Sequence, residues 1–128
     1  MIKIAHIAVY VHDLEKAKEF FERYFYAQSN ELYHNPKTGL STYILSFDGH
    51  TRLELMTRPE IMDVGTSVVR NGYIHLSFNL GNKQNVDDLT RKMEADGYRI
   101  LSGPRVTGDG YYESCVEGPE GNLLELTV

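Results

Sequence analysis

Two stretches of this chain lying 69 residues apart begin alike, and two others lying 71 residues apart end alike. The first pair is Ile4-Ala5-His6-Ile7-Ala8-Val9-Tyr10 and Tyr73-Ile74-His75-Leu76-Ser77-Phe78; the second is Arg52-Leu53-Glu54-Leu55-Met56 and Asn122-Leu123-Leu124-Glu125-Leu126-Thr127. Their apolar, alternating character reads as strand. His6 and Glu54 are separated by 48 residues, His75 and Glu125 by 50. A repeat this long exceeds the roughly 20 to 50 residues of a solenoid unit, and only two copies exist. The chain therefore reads as one supersecondary module used twice.

Each opening strand leads into a helix signal. In module one Leu14, Ala17, Phe21 and Tyr24 fall at helical spacing behind Asp13, a residue suited to accept hydrogen bonds from first-turn N–H groups, with Glu15 near the positive end of the dipole. In module two the corresponding residues are Val86, Leu89 and Met93, with Asn85 expected as the cap, Asp87 and Asp88 in the first turn, and Gly97 as a left-handed stop. Three further strands are expected after each helix, at about residues 29–34, 41–48 and 51–57, then 98–106, 111–117 and 122–127. Asp48-Gly49, Asp109-Gly110 and Gly118-Pro119-Glu120-Gly121-Asn122 punctuate them as turns. The expected organisation is an α+β fold of paired βαβββ modules: module one at 1–57, a connector at 58–72, and module two at 73–128, within a single domain.

At 128 residues such a domain buries about two-thirds of its unfolded surface without disulfide staples. Cys115 is the only cysteine; it is expected as a small apolar strand residue and suits a reducing cytoplasm. No apolar run has the length of a signal segment or a membrane span, so a soluble cytoplasmic protein is expected. The net charge of −5 and the lack of a Lys/Arg cluster argue against a nucleic-acid partner.

Glu125 is the most demanding residue chemically. Leu124 and Leu126 flank it in a strongly apolar strand, where an ionised carboxylate without a partner would cost several kcal/mol. Strand alternation puts His6 on one face with Ala8 and Tyr10, and Glu54 on one face with Arg52 and Met56. Two imidazoles and two carboxylates, His6, Glu54, His75 and Glu125, make an N2O2 ligand set that suits Zn, Ni, Co, Mn or Fe(II) better than Ca or Mg. His12, His34 and His50 have no counterpart in the other module and are expected at the surface.

These residues resemble the vicinal oxygen chelate superfamily of glyoxalases, extradiol dioxygenases and antibiotic-resistance proteins. The resemblance spans essentially the whole chain. It rests on His6 followed by Asp13-Leu14-Glu15-Lys16-Ala17 and Phe20-Phe21, on Arg52-Leu53-Glu54-Leu55, on Ile74-His75-Leu76, and on Gly118-Pro119-Glu120-Gly121-Asn122-Leu123-Leu124-Glu125, where Gly118 replaces the usual Asp. The order His, Glu, His, Glu is most similar to compact bacterial glyoxalase I-type proteins.

That resemblance implies a cup-shaped open β-barrel with helices outside, a homodimer, a small-molecule substrate, and one divalent metal per site held by His6, Glu54, His75 and Glu125. Nickel, cobalt or zinc is implied first, with manganese or iron next. The implied activity is that of a metal-dependent lyase or isomerase related to lactoylglutathione lyase. It transfers a proton alpha to a carbonyl through an enediolate, acting on a 2-oxoaldehyde–thiol adduct, with Glu125 as first-choice base and Glu54 as its counterpart.

The chain departs from the glyoxalase I pattern where glutathione is held: Tyr10 stands where an arginine is usual, and Met56-Thr57-Arg58 where an asparagine is. Arg58 and Arg105 are the alternative anion holders, and Tyr112 the expected lining residue. An epimerase uses similar proton chemistry. An extradiol dioxygenase needs an open position that Glu54 would fill, and a metal-free drug-binding protein generally lacks the four ligands.

Overall fold

A computed structural model describes residues 1–63, 65 and 69–128 of the chain. The chain divides into two compact units, Met1–Val64 and Gly65–Val128. Residues 64 and 66–68, in the expected connector, lie outside the described residues.

Unit one runs β1 (His6–Tyr10), α1 (Leu14–Phe25), β2 (Gln28–Ser29), β3 (Tyr33–His34), β4 (Ser41–Ser46) and β5 (Arg52–Thr57). Helix α1 starts where Asp13 accepts a 3.0 Å hydrogen bond from the Lys16 N–H. It buries Leu14, Ala17, Phe20, Phe21, Tyr24 and Phe25, and the rings of Phe20 and Phe21 meet edge-on at 5.1 Å. Their partners are Tyr43 and Leu45 of β4 and Leu53 and Leu55 of β5, all buried. The strands run in the order β1-β5-β4-β2, with β3 also on β4; β1 and β5 are parallel and the others antiparallel.

The continuous strand expected at 29–34 is instead two short ones. Asn30 causes the break: its backbone N–H donates to the Ile44 carbonyl, while its own side-chain oxygen takes the Ile44 N–H at 2.7 Å, a hydrogen that a ladder carbonyl would otherwise receive. The chain resumes pairing at Tyr33 opposite Thr42.

Unit two runs β6 (His75–Asn79), α2 (Lys83–Ala95), β7 (Ile100–Val106), β8 (Tyr112–Glu117), a 3₁₀ turn (Pro119–Gly121) and β9 (Leu123–Thr127). The order β6-β9-β8-β7, with β6 parallel to β9, repeats that of unit one. The paired βαβββ modules of an α+β fold are thus the observed architecture.

Helix α2 begins three residues before the expected start. Asn82, not Asn85, is the cap and accepts from the Asn85 N–H at 2.9 Å, while the Asn85 amide donates to the Leu80 carbonyl. The helix ends as expected: Gly97 takes φ +97°, and the N–H groups of Gly97 and Tyr98 close back on the carbonyls of Glu94 and Met93. Val86, Thr90 and Met93 are buried against Val116, Leu124 and Leu126, whereas Leu89 is only half-buried. Thr90 donates to the Val86 carbonyl, so the 2.7 Å contact between Thr90 Oγ1 and Ser114 Oγ has the serine as donor, and both buried hydroxyls are satisfied. Strand β7 is bulged on both sides of Ser102; at Gly103 (φ +79°) a Cβ would stand 2.4 Å from the Glu113 carbonyl oxygen.

Candidate functional site

In each unit the parallel pairing of the first and last strands sets His beside Glu. Ala8 is registered with Glu54 and Ser77 with Glu125; His6 is registered with Arg52 and His75 with Leu123, each two positions earlier. The shared parity puts each His and Glu on the sheet face opposite the helix. His6 Nε2 lies 3.6 Å from Glu54 Oε2, and His75 Nε2 lies 3.4 Å from Glu125 Oε2. The carboxylates are 21% and 20% exposed, so both are largely shielded yet remain open to a ligand. Beyond each pair the same extra bond extends the ladder: the Val11 N–H donates to the Met56 carbonyl, and the Leu80 N–H to the Thr127 carbonyl.

The surroundings of the two pairs differ. Around Glu54 the cross-strand neighbours are Ala8 and Ile44; at the equivalent positions around Glu125 stand Ser77 and Cys115. Ser77 Oγ donates to Glu125 Oε1 at 2.8 Å, which fixes the carboxylate with its other oxygen toward His75. Glu113 shares this face. Burial first, then a hydrogen bond with Glu125 and the charge of Glu125, push its carboxyl above the usual carboxylate range, while Arg105 opposes the shift. Cys115 is half-buried opposite Glu125 and not packed on the helix side with Ser114 and Val116; burial, Glu125 and Glu113 raise its thiol. Ser77, Glu113 and Cys115 are the residues that reading the sequence alone overlooks; parity along β6 from His75 points to Ser77, but the other two need the pairing of β8 with β9.

The other expected residues divide. Arg58 continues the parity of Glu54 and Met56 just past β5; its Nε donates to Glu60 Oε1 at 2.6 Å, and Glu60 and then Tyr10 hold the guanidinium more firmly protonated. Arg105 pairs with Glu113 and so lies on the Glu125 face. Tyr112 does not: its hydroxyl donates to Asp87 of α2, and Lys83 of that helix sits 5.3 Å from its ring centre. Strand alternation from Tyr112 through Ser114 to Val116 carries it to the helix side, so its expected lining role has no support in its position. His12, His34 and His50 are exposed; His12 meets Asp63 at 2.7 Å and His34 meets Ser41 at 2.7 Å.

A divalent first-row ion fits the donors of each pair. A His–Glu separation of 3.4 to 3.6 Å is long for a hydrogen bond, but suits two groups that each reach one ion through bonds of about 2.0 to 2.2 Å. The hydrogen bond from Ser77 to Glu125 is the kind of outer support that orients a ligating carboxylate. Among the described residues no group of three or more His, Cys, Asp or Glu side chains able to hold a metal ion is present, so each unit offers a pair.

The family model of the Glyoxalase/Bleomycin resistance protein/Dioxygenase superfamily matches residues 3–126. The chain belongs to this superfamily. Enzymes such as glyoxalase I are among the superfamily's members, which generally use a divalent metal. One relative, the uncharacterized protein YqjT of Bacillus subtilis, is 29% identical over 126 residues, covering 96% of each chain. Solved structures with the same fold include a glyoxalase family protein from Bacillus cereus, with a TM-score of 0.84 and 19% identity over 99% of this chain and 93% of that one. Another is the trypanothione-dependent glyoxalase I of Leishmania major, with a TM-score of 0.78 and 18% identity over 99% of this chain and 86% of that one.

Proposed function

We propose that this superfamily member is a metal-dependent, glyoxalase I-related lyase that transfers a proton alpha to a carbonyl. In this reading His6, Glu54, His75 and Glu125 together hold one divalent ion, nickel, cobalt or zinc, with manganese or iron also suited to the donors. The observation that carries it is the recurrence, in both units, of a His–Glu neighbour pair in the same register on the helix-free sheet face. Such an ion, when bound, supplies Lewis acidity toward two adjacent substrate oxygens.

The chain's own residues supply the proton chemistry. Glu125 takes the proton from the carbon that bears the sulfur and hydroxyl of a hemithioacetal and returns it to the neighbouring carbonyl carbon, while the hydroxyl proton passes to the neighbouring oxygen. The first carbon becomes a thioester carbonyl as the second becomes a carbinol, so the rearrangement balances without a co-reactant. Ser77 orients the Glu125 carboxylate through its 2.8 Å hydrogen bond, and Glu54 is the counterpart on the other half. A homodimer in the cytoplasm, acting on a small molecule, completes the reading. The net charge of −5 speaks against a nucleic-acid partner, and no helix among the described residues is long and apolar enough to cross a membrane.

The test is to strip the purified protein, reload it in turn with Ni, Co, Zn and Mn, and follow thioester formation from methylglyoxal with several thiols. Stoichiometric metal and metal-dependent turnover are expected, both lost in His6→Ala. Protein that takes up no stoichiometric metal and forms no thioester with any thiol would overturn the proposal.

A further inference from the structure

Residues 58–63, which follow β5, fold back across the end of their sheet. Strand β4 is antiparallel to β5 and β1 is parallel to it, so the start of β4 and the ends of β5 and β1 lie together at one end. Pro59 reaches the β4 side: a Cβ at Gly39, in the turn between β3 and β4, would stand 2.8 Å from the Cγ and Cδ of Pro59. The Ile61 N–H then turns back on the Arg58 carbonyl at 3.3 Å, and Asp63 Oδ1 meets His12 Nε2, just past β1, at 2.7 Å. The segment is a strap tied on both sides of β5.

His12 is extra to the repeated module. It stands two residues past β1 and directly before Asp13, the cap of α1; at the same place past β6, directly before the Asn82 cap, unit two has Gly81, whose N–H goes to Asn79 Oδ1. The fold thus forms around a residue with no side chain there. The other charged or titratable groups on the surrounding segments are Tyr10, Asp13, Lys16, Lys37, Arg58 and Glu60; among them Asp13 accepts from the Lys16 N–H and Arg58 pairs with Glu60. An imidazole is the side chain whose charge ordinarily changes between about pH 5 and 8. Protonated, and facing the Asp63 carboxylate, it makes a charge-assisted hydrogen bond about twice as strong as the neutral one left when that proton is lost. The side chains of His12 and Asp63 are 52% and 87% exposed, so the tie is weak enough to open.

We infer that His12 and Asp63 form a pH-sensitive latch, which ties the 58–63 strap across the ends of β1 and β5 at mildly acidic pH and loosens it at alkaline pH. The ion pair stabilises the tied strap below the imidazole range, and that contribution fades as pH rises through it. Tied, unit one holds its chain as far as Asp63; loosened, it holds it only to Thr57, the last residue of β5, which adds residues 58–63 to the stretch leading to β6. Neither His12 nor Asp63 belongs to the proposed metal site, so the latch stands apart from the function proposed above.

The experiment follows solvent exchange of the Ile61 amide by NMR in the full-length, metal-free chain at about pH 5.5 and about pH 8, on either side of the ordinary imidazole value, each corrected for the intrinsic exchange rate. Protection about two- to fivefold higher at the lower pH is expected, with the contact between Pro59 and Gly39 weakening in step. His12→Gln and Asp63→Asn should each abolish the pH difference. His12→Lys, which stays charged at both values, should also abolish it, but with protection kept on the alkaline side. His50→Gln, an exposed change between β4 and β5 at the far end of these strands, should leave the difference as it is. Equal protection at the two pH values in the unaltered chain, or a difference that survives His12→Gln, would overturn the latch.

Discussion

The two His–Glu pairs share strand order, register and backbone hydrogen bonding, yet one carboxylate is held by polar neighbours and the other is not. Glu125 receives the Ser77 hydroxyl and faces Glu113 and Cys115. Glu54 has Ala8 and Ile44 at the corresponding positions, with the cation Arg52 on its own strand and Arg58 just past its end. The lesson is that the backbone frame fixes where a ligand stands, while the residues beside it decide what else that ligand does. Under the proposed function, the carboxylate that a serine hydroxyl orients is the better equipped for proton transfer, and the one with Ala8 and Ile44 across from it for holding the ion.

Substituting the carboxylates themselves would break this contrast most severely. Glu125→Gln is expected to lower turnover per bound metal by about 10² to 10⁴, and Glu54→Gln by clearly less, measured as initial rates normalised to metal content. Equal losses would erase the distinction between the halves. Next in size is the support of Glu125: Ser77→Ala should weaken metal affinity by about 10- to 100-fold, read by competition with a chelator of known affinity, because its hydroxyl orients a ligand.

A smaller effect contrasts the two helix ends. Helix α2 stops at Gly97, but α1 stops at Tyr26, a non-glycine residue at φ 54° that is 85% exposed. Tyr26→Gly should relieve left-handed strain and stabilise the protein by about 1 kcal/mol in urea unfolding, whereas Gly97→Ala should destabilise it.

The smallest concerns Glu113. Its folded-state pKa is raised, so folding favours the protonated carboxyl; that contribution is present below the unfolded carboxyl range and is lost as pH rises through the folded value. Glu113→Gln is therefore expected to raise the melting temperature at pH 7.5 and to leave it nearly unchanged at about pH 4. A gain of equal size at both pH values would show that Glu113 does not titrate against Glu125.

The repeat made much of this legible in the sequence. Four alternating segments, two helices and the four candidate ligands follow from periodicity alone, because a strand's parity and a helix's spacing are local properties. What escaped was set by single side chains acting on the backbone. Asn30 diverts the Ile44 N–H and splits a strand, and Asn82 captures the Asn85 N–H and moves the start of α2. Tyr112 went astray because a strand's period does not say which face meets the helix; its bond to Asp87 does. Ser77, Glu113 and Cys115 acquire meaning only once β6 and β8 are placed beside Glu125.

The parallel pairing of each module's first and last strands also bears on how the protein comes into being. His6 must wait for Glu54, some 48 residues later, before the two are neighbours, and closing a span that long is slow compared with forming a helix or hairpin. On the ribosome the imidazole of each module emerges long before its carboxylate, and a half-made module has no pair to offer. With the proposed four-ligand site, metal uptake during synthesis would then report that both modules have finished folding.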